Sequence, residues 1–308
     1  MSDVTHDDNQ KTALKINKLV LSGGGLRGCI HIGVVRSLEE KNLMKQINCF
    51  AGTSIGSLVA TLLVLSYTST ELTLLIKNFD YLQYQCIDVC NIMRHYGIDT
   101  FGKIMGFIAT LFIKKNTMPY ITFADLFKQT GKHLIINAVC LNNHENTFFD
   151  HLLTPNMPVI IAVRASMSLP IIFGSTHYNG LTYVDGGLLD NLPIDFPLFI
   201  NEPETVLGIN LYNPLNHSVK DINTIELYTI HLCACLYDAY NRLDKHTNPL
   251  MHIICIQTHK FNTFDLTMKD DDKQFLIDLG YQKTTEYLDS KKLSSTAESR
   301  SDSTVKKV

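Results

Sequence analysis

Ser54 stands where an apolar strand-like segment turns directly into an apolar helix. The surrounding residues read GTSIG, the G-x-S-x-G spacing of a nucleophile elbow, in which a tight turn exposes a reactive serine. Such a turn strains the serine backbone and admits only very small neighbours, which Gly52 and Gly56 are. The same spacing also arises by chance in a chain of 308 residues, so a nucleophile assignment needs a base and an oxyanion hole as well.

A glycine-rich loop follows the first strand-like segment of the chain. Residues 22–28 read SGGGLRG and place Gly23, Gly25 and Gly28 at the G-x-G-x-x-G spacing that is typical of dinucleotide-binding loops. A dinucleotide site also requires an Asp or Glu at the end of the next strand, where it holds a ribose hydroxyl. The next strand-like segment, Ile47–Ala51, is followed by GTSIG instead. The sequence therefore argues against a dinucleotide.

The same loop can serve a serine nucleophile as its oxyanion hole. The successive N–H groups of Gly24, Gly25 and Leu26 can point at one anionic oxygen, because glycine lets the backbone approach closely. Arg27 lies in this loop and has two interpretations. It either adds positive charge or pairs with a lipid phosphate, or it is a solvated arginine or part of a structural ion pair.

Asp185 is the candidate base for Ser54. It ends a short β-like run in LTYVDGGLLDNLPI and is followed by Gly186 and Gly187, whose N–H groups could hold its carboxylate. The alternative is a plain Asp-Gly hairpin turn. A conventional triad would need a histidine, but the histidines after Ser54 lack a comparable setting and are interpreted as structural. They include His217, His231, His246 and His252.

Three motifs in this order, GGGLRG, GTSIG and DGG, resemble those of the patatin-like phospholipase family. The segments AVRASMSLPIIF and DNLPI are similar as well, and the resemblance covers roughly Lys15 to Phe199. It implies that Ser54 is the nucleophile and Asp185 the base of a dyad without histidine. The oxyanion hole would be lined by Gly24, Gly25 and Leu26. Gly187 stands where many relatives have Ala, a tolerated variant.

The resemblance implies an enzyme that hydrolyses the acyl esters of glycerophospholipids or neutral lipids, with no cofactor and no metal ion. The expected partners are the lipid substrate and, transiently, a membrane or lipid-droplet interface. Whether a protein activator is needed is left open. Two other classes remain at this point. One is a conventional Ser–His–Asp esterase, and the other is a non-catalytic lipid-binding relative.

Strand-like and helix-like segments alternate along the chain, which predicts an α/β fold. Together with the resemblance, this predicts three layers, with a mostly parallel central sheet flanked by helices on both faces. The predicted strands are Lys18–Leu21, Ile47–Ala51, Leu134–Leu141, Thr205–Leu211 and His252–Gln257. The predicted helices are Cys29–Lys41, Ile55–Leu65, Thr70–Phe79, Phe101–Ile113, Phe123–Thr130, Pro158–Met167, Ile222–Leu243 and Asp270–Asp289.

The chain is predicted to form one catalytic domain with an extension. Residues 15–200 form the patatin-like domain, and residues 201–289 form a C-terminal α/β extension on the same core. The polar residues 1–14 and the Ser-, Thr- and Lys-rich residues 290–308 are expected to be disordered.

Composition and charge bear on the compartment. A net charge of −3 gives no general attraction to nucleic acid. A signal peptide and a transmembrane helix are not expected, since the longest uncharged window, Gln46–Thr70, is broken by glycine and serine. The eight cysteines lie mostly in apolar runs and indicate reduced, buried thiols. We therefore predict an intracellular, cytoplasmic protein that is peripheral at membranes.

One predicted helix carries an apolar face with two interpretations. The face either packs over the active site as a cap or dips into a lipid interface, flanked by lysines. Its residues are Phe101, Ile104, Met105, Ile108, Leu111 and Phe112.

Overall fold

The computed structural model describes most of the chain. It covers residues 14–88, 90–212, 221–225, 227–228, 231–232, 235, 248–258 and 268–305. Residues 1–13 of the predicted disordered lead lie outside the described residues, as does much of the predicted helix Ile222–Leu243. His246, which follows that helix, lies outside them as well.

The strands of the described chain alternate with helices in its first half and become short and antiparallel later. The strands are β1 (Lys18–Leu21), β2 (Cys49–Thr53), β3 (Gly97–Asp99), β4 (His133–Cys140), β5 (Glu145–Phe149), β6 (Ile171–Phe173), β7 (Thr176–Tyr178), β8 (Leu181–Asp185), β9 (Val206–Tyr212) and β10 (His252–Gln257). The helices are α1 (Cys29–Glu40), α2 (Ile55–Val64), α3 (Ser69–Lys77), α4 (Tyr81–Tyr84), α5 (Asn91–His95), α6 (Gly102–Lys114), α7 (Phe123–Thr130), α8 (Val159–Ser166), α9 (Pro197–Asn201) and α10 (Asp270–Val305).

The main sheet has eight strands and a parallel half. Strands β10, β9, β1, β2 and β4 follow one another in parallel, whereas β5, β8 and β7 are antiparallel to their neighbours. Strands β3 and β6 form a separate two-stranded sheet. The predicted α/β class with a mostly parallel central sheet is confirmed.

Both faces of the parallel half of the sheet are covered by other parts of the protein. Successive side chains of a strand point to opposite faces, so apolar neighbours in one strand pack into two different cores. Leu19 and Leu21 of β1 belong to the larger hydrophobic core, while Val20 between them belongs to a smaller core on the opposite face. Phe50 and Ala51 of β2 divide in the same way. Helices α1, α2, α6 and α8 cover the first face, and the segment around α9 covers the second.

Apart from the last helix and the largely undescribed helix Ile222–Leu243, the predicted elements agree with the observed ones to within two residues, and β1, β10 and α7 agree at both ends. Strands β3, β6 and β7 were not predicted, because three residues are too few for alternation to be seen. Strand β5 was also missed, since its sequence ENTFF is polar at its start.

The last helix is longer than predicted. The sequence analysis expects disorder from residue 290 onward, whereas α10 continues to Val305. This segment contains neither proline nor glycine, so nothing in it ends a helix that has begun. The helix begins at Asp270, Asp271 and Asp272, the acidic first turn that the sequence predicts.

The apolar face of α6 is buried and is not a lipid-facing surface. Phe101, Ile108, Leu111 and Phe112 are at most 1% exposed and lie in the larger core. The ring of Phe107, at the edge of this face, contacts the rings of Phe79 and Tyr84 in a tilted arrangement. This burial argues against a face that dips into lipid, whereas a cap over the active site stays a prediction.

Two further findings concern the expected compartment. None of the described helices is both long enough and apolar enough to cross a bilayer. Cys29, Cys49 and Cys140 are buried as predicted, whereas Cys90 and Cys255 are exposed. Cys255 is exposed because β10 is an edge strand whose alternate side chains face outward.

Helices α1 and α10 run side by side at very short distance, which two glycines permit. A Cβ added to Gly33 would lie 1.8 Å from the carbonyl oxygen of Ile277, and one added to Gly280 would lie 2.1 Å from that of Ile30. The contact continues with a 2.8 Å hydrogen bond between the hydroxyls of Ser37 and Thr285. Because these backbones touch, the C-terminal helix is tightly fixed to α1.

We expect Gly33→Ala to lower the free energy of unfolding by about 1–3 kcal/mol, because the new methyl group must push the two helices apart. Gly106→Ala is the matched control. Gly106 also lies inside a helix, but a Cβ there would have nothing within 4 Å. The control should gain about 0.5–1 kcal/mol from helix propensity. Denaturant unfolding measures both, and equal effects would refute the close packing.

Candidate active site

Ser54 occupies a strained turn between β2 and α2. Its φ of 53° and ψ of −126° are uncommon for a residue with a side chain. A Cβ on Gly52 would lie 2.3 Å from the carbonyl group of Gly56, and one on Gly56 would lie 2.3 Å from the carbonyl oxygen of Leu21. Both flanking glycines are therefore needed for the strand and the helix to meet at this angle.

The hydroxyl of Ser54 donates a 2.6 Å hydrogen bond to Oδ2 of Asp185. The other carboxylate oxygen accepts the N–H of Gly187 at 2.8 Å. Ser54 is half-buried and Asp185 is buried. Burial raises the pKa of Asp185 to about 6, against the lowering effect of the two hydrogen bonds. The site thus joins a partly accessible hydroxyl to a desolvated carboxylate.

The sheet brings these two residues together on one edge of β4. Strand β2 runs parallel to β4 and ends with Thr53 opposite Asn137, while β8 runs antiparallel and ends with Asp185 opposite Ala138. Strand β5 occupies the other edge of β4 along Ile136–Cys140, so β8 must share the edge of β2. Strands β2 and β8 therefore meet end to end, at neighbouring residues of β4.

The glycine loop leads from β1 into a 3₁₀ turn, Gly25–Gly28, that precedes α1. Gly25 has a φ of 56°, which favours glycine. The first N–H groups of a helical turn have no partner within it, so those of Gly24, Gly25 and Leu26 are available to a ligand. Gly25 and Leu26 are half-buried and Gly24 is buried.

The glycine loop packs directly against the serine turn. A Cβ on Gly23 would lie 3.1 Å from the Cβ of Ser54, and one on Gly28 would lie 2.6 Å from a methylene carbon of Ile55. Larger residues at these positions would separate the loop from the nucleophile. The G-x-G-x-x-G spacing is thus explained by close packing around Ser54.

Arg27 is buried within the fold. Its side chain donates from Nε to the carbonyl oxygen of Gly24 at 3.2 Å and from Nη1 to the hydroxyl of Thr258 at 2.8 Å. It therefore ties the glycine loop to the end of β10. Of the two interpretations of this residue, the structure supports the structural one.

Asn191 lies between the glycine loop and the DGG turn, a role that the sequence analysis did not assign. It accepts the N–H of Gly23 with its backbone oxygen at 3.1 Å and donates from Nδ2 to the Gly23 carbonyl at 3.4 Å. A Cβ on Gly187 would lie 3.2 Å from Oδ1 of Asn191 and 3.1 Å from Oδ1 of Asp185. An alanine at Gly187 would fit with small shifts.

Ser166 and Asn137 lie beneath the dyad and were also missed. Ser166 is fully buried and accepts the N–H of Ser54 at 2.8 Å. A Cβ on Gly186 would lie 2.7 Å from the carbonyl oxygen of Asn137, which shows how closely the DGG turn rests on β4. The only sequence signal for these residues was a polar side chain within an otherwise apolar element.

None of the described histidines hydrogen-bonds to Ser54 or Asp185. His31 contacts the carbonyl oxygen of Ser22 at 2.8 Å, and burial lowers its pKa to about 4. His252 bonds to the hydroxyl of Tyr287 at 3.0 Å. Of the histidines named as triad candidates, His217 and His246 lie outside the described residues. His231 and His252 are described, and neither reaches the dyad.

Acidic, histidine and cysteine side chains do not gather into a metal centre in the described ranges. No group of three or more of them is placed to hold a metal ion. The run Asp270–Asp272 opens a helix instead, and Asp270 pairs with Lys273 one turn later. These carboxylates therefore have a structural explanation.

Comparisons with known proteins agree with the geometry. A family model for patatin-like phospholipases matches residues 19–198. A probable lipid hydrolase, 463L of Invertebrate iridescent virus 6, is 32% identical over 183 residues, which cover 58% of this chain and 62% of the viral protein. The uncharacterized protein YqhO of Bacillus subtilis is 30% identical over 291 residues, 87% of this chain and 97% of the bacterial one.

The fold has a counterpart among solved structures. The crystal structure of VipD from Legionella pneumophila superposes with a TM-score of 0.62 at 17% identity, covering 90% of this chain and 67% of VipD. This chain spans less than two thirds of the length of the iridescent virus relative. The family model nevertheless matches more than half of the chain and includes all three motifs. The protein therefore belongs to the patatin-like phospholipase family, as its motifs predict.

Proposed function

We propose that the protein is a lipid acyl hydrolase, a carboxylic ester hydrolase that uses Ser54 as nucleophile and Asp185 as general base. The 2.6 Å hydrogen bond from the Ser54 hydroxyl to the buried carboxylate of Asp185 carries this proposal. A serine in a strained turn with a carboxylate on its hydroxyl has the two parts that nucleophilic catalysis requires.

The first half of the reaction acylates the enzyme. Asp185 accepts the hydroxyl proton as Oγ of Ser54 attacks the ester carbonyl carbon, and the carbonyl oxygen becomes an oxyanion. The tetrahedral intermediate then breaks its bond to the alcohol. The departing alkoxide takes the proton from Asp185, which leaves an acyl-Ser54 ester and a neutral alcohol product.

The second half regenerates the enzyme. Asp185 takes a proton from water as the water oxygen attacks the acyl carbon, and the intermediate breaks its bond to Oγ of Ser54. The proton returns to the serine, and the fatty acid leaves. A carboxylate with a pKa near 6 suits both roles, because it is ionised at neutral pH yet more basic than an exposed aspartate.

The N–H groups of Gly24, Gly25 and Leu26 are proposed as the oxyanion hole. Fixed backbone dipoles stabilise an oxyanion best when they need no reorganisation during the reaction. The loop meets this condition, since Arg27 and Asn191 hold it through hydrogen bonds and Gly23 packs against Ser54.

The proposed substrates are glycerophospholipids or neutral acyl lipids. Family membership and the lipid hydrolase named among the relatives support this class. Because such lipids reside in membranes or droplets, we propose a transient contact with a lipid surface. Product analysis on a panel of phospholipids, lysophospholipids and acylglycerols, with Ser54→Ala as the blank, would identify the ester that is cleaved.

Ser54→Ala should lower kcat on a soluble nitrophenyl ester by at least about 1,000-fold, because the nucleophile is removed. Ser37→Ala is the control, since it deletes another serine hydroxyl, which is buried between α1 and α10. The control should keep its activity. A Ser54→Ala variant that retained several per cent of turnover would refute the assignment, whereas a parent protein without turnover would favour a non-catalytic relative.

Catalysis should require no histidine. Each of the twelve histidines, replaced singly by Gln, should leave kcat within about tenfold of the parent, because a structural histidine affects stability more than turnover. A triad histidine would instead cost several orders of magnitude. One folded but inactive histidine variant would establish the conventional triad and overturn the dyad.

Asp185→Asn should be inactive but more stable than the parent at neutral pH. The pKa of Asp185 is about 6 in the folded protein and near 3.8 when unfolded, so the parent loses stability as pH rises through this window. The loss amounts to roughly 3 kcal/mol for about two pKa units. An amide carries no charge, and its oxygen can still accept the N–H of Gly187 while its NH2 group donates to the hydroxyl oxygen of Ser54.

The measurement compares the free energies of unfolding of the variant and the parent between about pH 4 and about pH 8. The stability advantage of Asp185→Asn should grow across this range and then level off. A difference that is independent of pH would show that Asp185 is not desolvated.

A further inference from the structure

Resting on the Ser54–Asp185 chemistry proposed above, we infer that Ser166 is a positioning residue that holds the nucleophile in place through its backbone. Its hydroxyl accepts the N–H of Ser54 at 2.8 Å and donates to the carbonyl oxygen of Asn137 at 2.5 Å. Ser166 is 0% exposed, so no water competes for these bonds. Its hydroxyl therefore connects the serine turn to the central strand β4.

The position of this bridge explains why a side chain is needed. Strands β2 and β4 pair up to Thr53 and Asn137, and beyond this point the chain of β2 turns away into α2. The N–H of Ser54 can then no longer reach the neighbouring strand directly. The hydroxyl of Ser166 lies between the two strands and connects the N–H of Ser54 to the carbonyl oxygen of Asn137 on β4. A buried N–H that lost this acceptor would be left unsatisfied.

The bond also bears on the strain at Ser54. A positive φ of 53° at a residue with a side chain persists only where its surroundings enforce it. The carbonyl oxygen of Ser54 is held by the hydroxyl of Ser57 at 2.6 Å, and its N–H is held by Ser166. Removing Ser166 frees one end of the strained residue, so that its hydroxyl can turn away from Asp185.

The same segment restrains the base. Just after α8, the carbonyl oxygen of Ser168 accepts the N–H of Asp185 at 2.9 Å. One turn of chain, from Ser166 to Ser168, thus contacts the backbone of the nucleophile and that of the base. The hydrogen bonds of this turn therefore restrain the distance between Ser54 and Asp185, in addition to the pairing of β2 and β8 with β4.

The experiment uses two variants of Ser166 on the full chain. Ser166→Ala removes the hydroxyl, while Ser166→Cys fills the space but offers only a weak sulfur acceptor. We expect both to lower kcat on a soluble ester by roughly 100-fold, the effect of a displacement of about 1 Å, with KM nearly unchanged. Ser37→Ala, the loss of another 0% exposed serine hydroxyl, should leave kcat at the parent value.

The pH profile separates positioning from simple loss of stability. The hydrogen bond from Ser54 lowers the pKa of Asp185, so its loss should move the acidic limb of kcat/KM to higher pH in the Ser166 variants. Reduced stability alone would leave the limb where it is. Circular dichroism at each pH confirms that the protein measured is folded.

The outcomes distinguish the two proposals. If Ser54→Ala is inactive while both Ser166 variants keep kcat within about threefold and an unmoved acidic limb, the role of Ser166 is overturned and the proposed function stands. If Ser54→Ala itself stays active, the proposed function fails and the role of Ser166 fails with it. A lower kcat together with a shifted limb in both variants, but not in Ser37→Ala, supports the inference.

Discussion

The site depends on one constraint, which is that two strands of opposite direction end on the same edge of β4. Parallel β2 ends with Thr53 opposite Asn137, just before Ser54, and antiparallel β8 ends with Asp185 opposite Ala138. Adjacent residues of β4 therefore position the ends of both strands. As a result, Ser54 and Asp185 form a hydrogen bond although they lie 131 positions apart in the sequence. A sheet that was parallel throughout would place its strand ends side by side and could not oppose them in this way.

The energetic cost of this arrangement is concentrated at two residues. Ser54 holds a strained backbone, and Asp185 holds a charge away from water, which its raised pKa reflects. Such features persist only in surroundings that cannot relax. Here Gly52 and Gly56 allow backbones to touch where any side chain would clash, and the turn from Ser166 to Ser168 bonds to both members of the dyad. The rigidity of the site therefore comes from close contact between main chains.

Sequence patterns predicted the features that depend on neighbouring residues. They missed the features that depend on contacts between elements distant in the sequence. The serine turn and the position of Asp185 at a strand end follow from neighbouring residues alone. Neighbouring residues do not predict that β8 pairs with the same edge of β4 as β2. Alternation of apolar and polar residues shows which face of the sheet a side chain lies on, but not which edge a strand joins. The sequence of the apolar face of α6 is the same whether protein or lipid covers it. A residue such as Ile108, which is buried in the structure, therefore could not distinguish the two interpretations. Ser166 was just as ambiguous, since a buried serine commonly bonds within its own helix.

The C-terminal region is part of the site although the family match ends at residue 198. Strand β9 lies beside β1, and Ser22 at the root of the glycine loop donates its N–H to the carbonyl of Ile209 and accepts the N–H of Leu211 with its hydroxyl. Arg27 reaches Thr258 beyond β10. The proposed oxyanion hole is thus supported from behind by residues outside the matched region. Changes in that region can alter the orientation of the loop N–H groups while the three motifs stay intact, so the proposed oxyanion hole depends on residues that the motifs do not include.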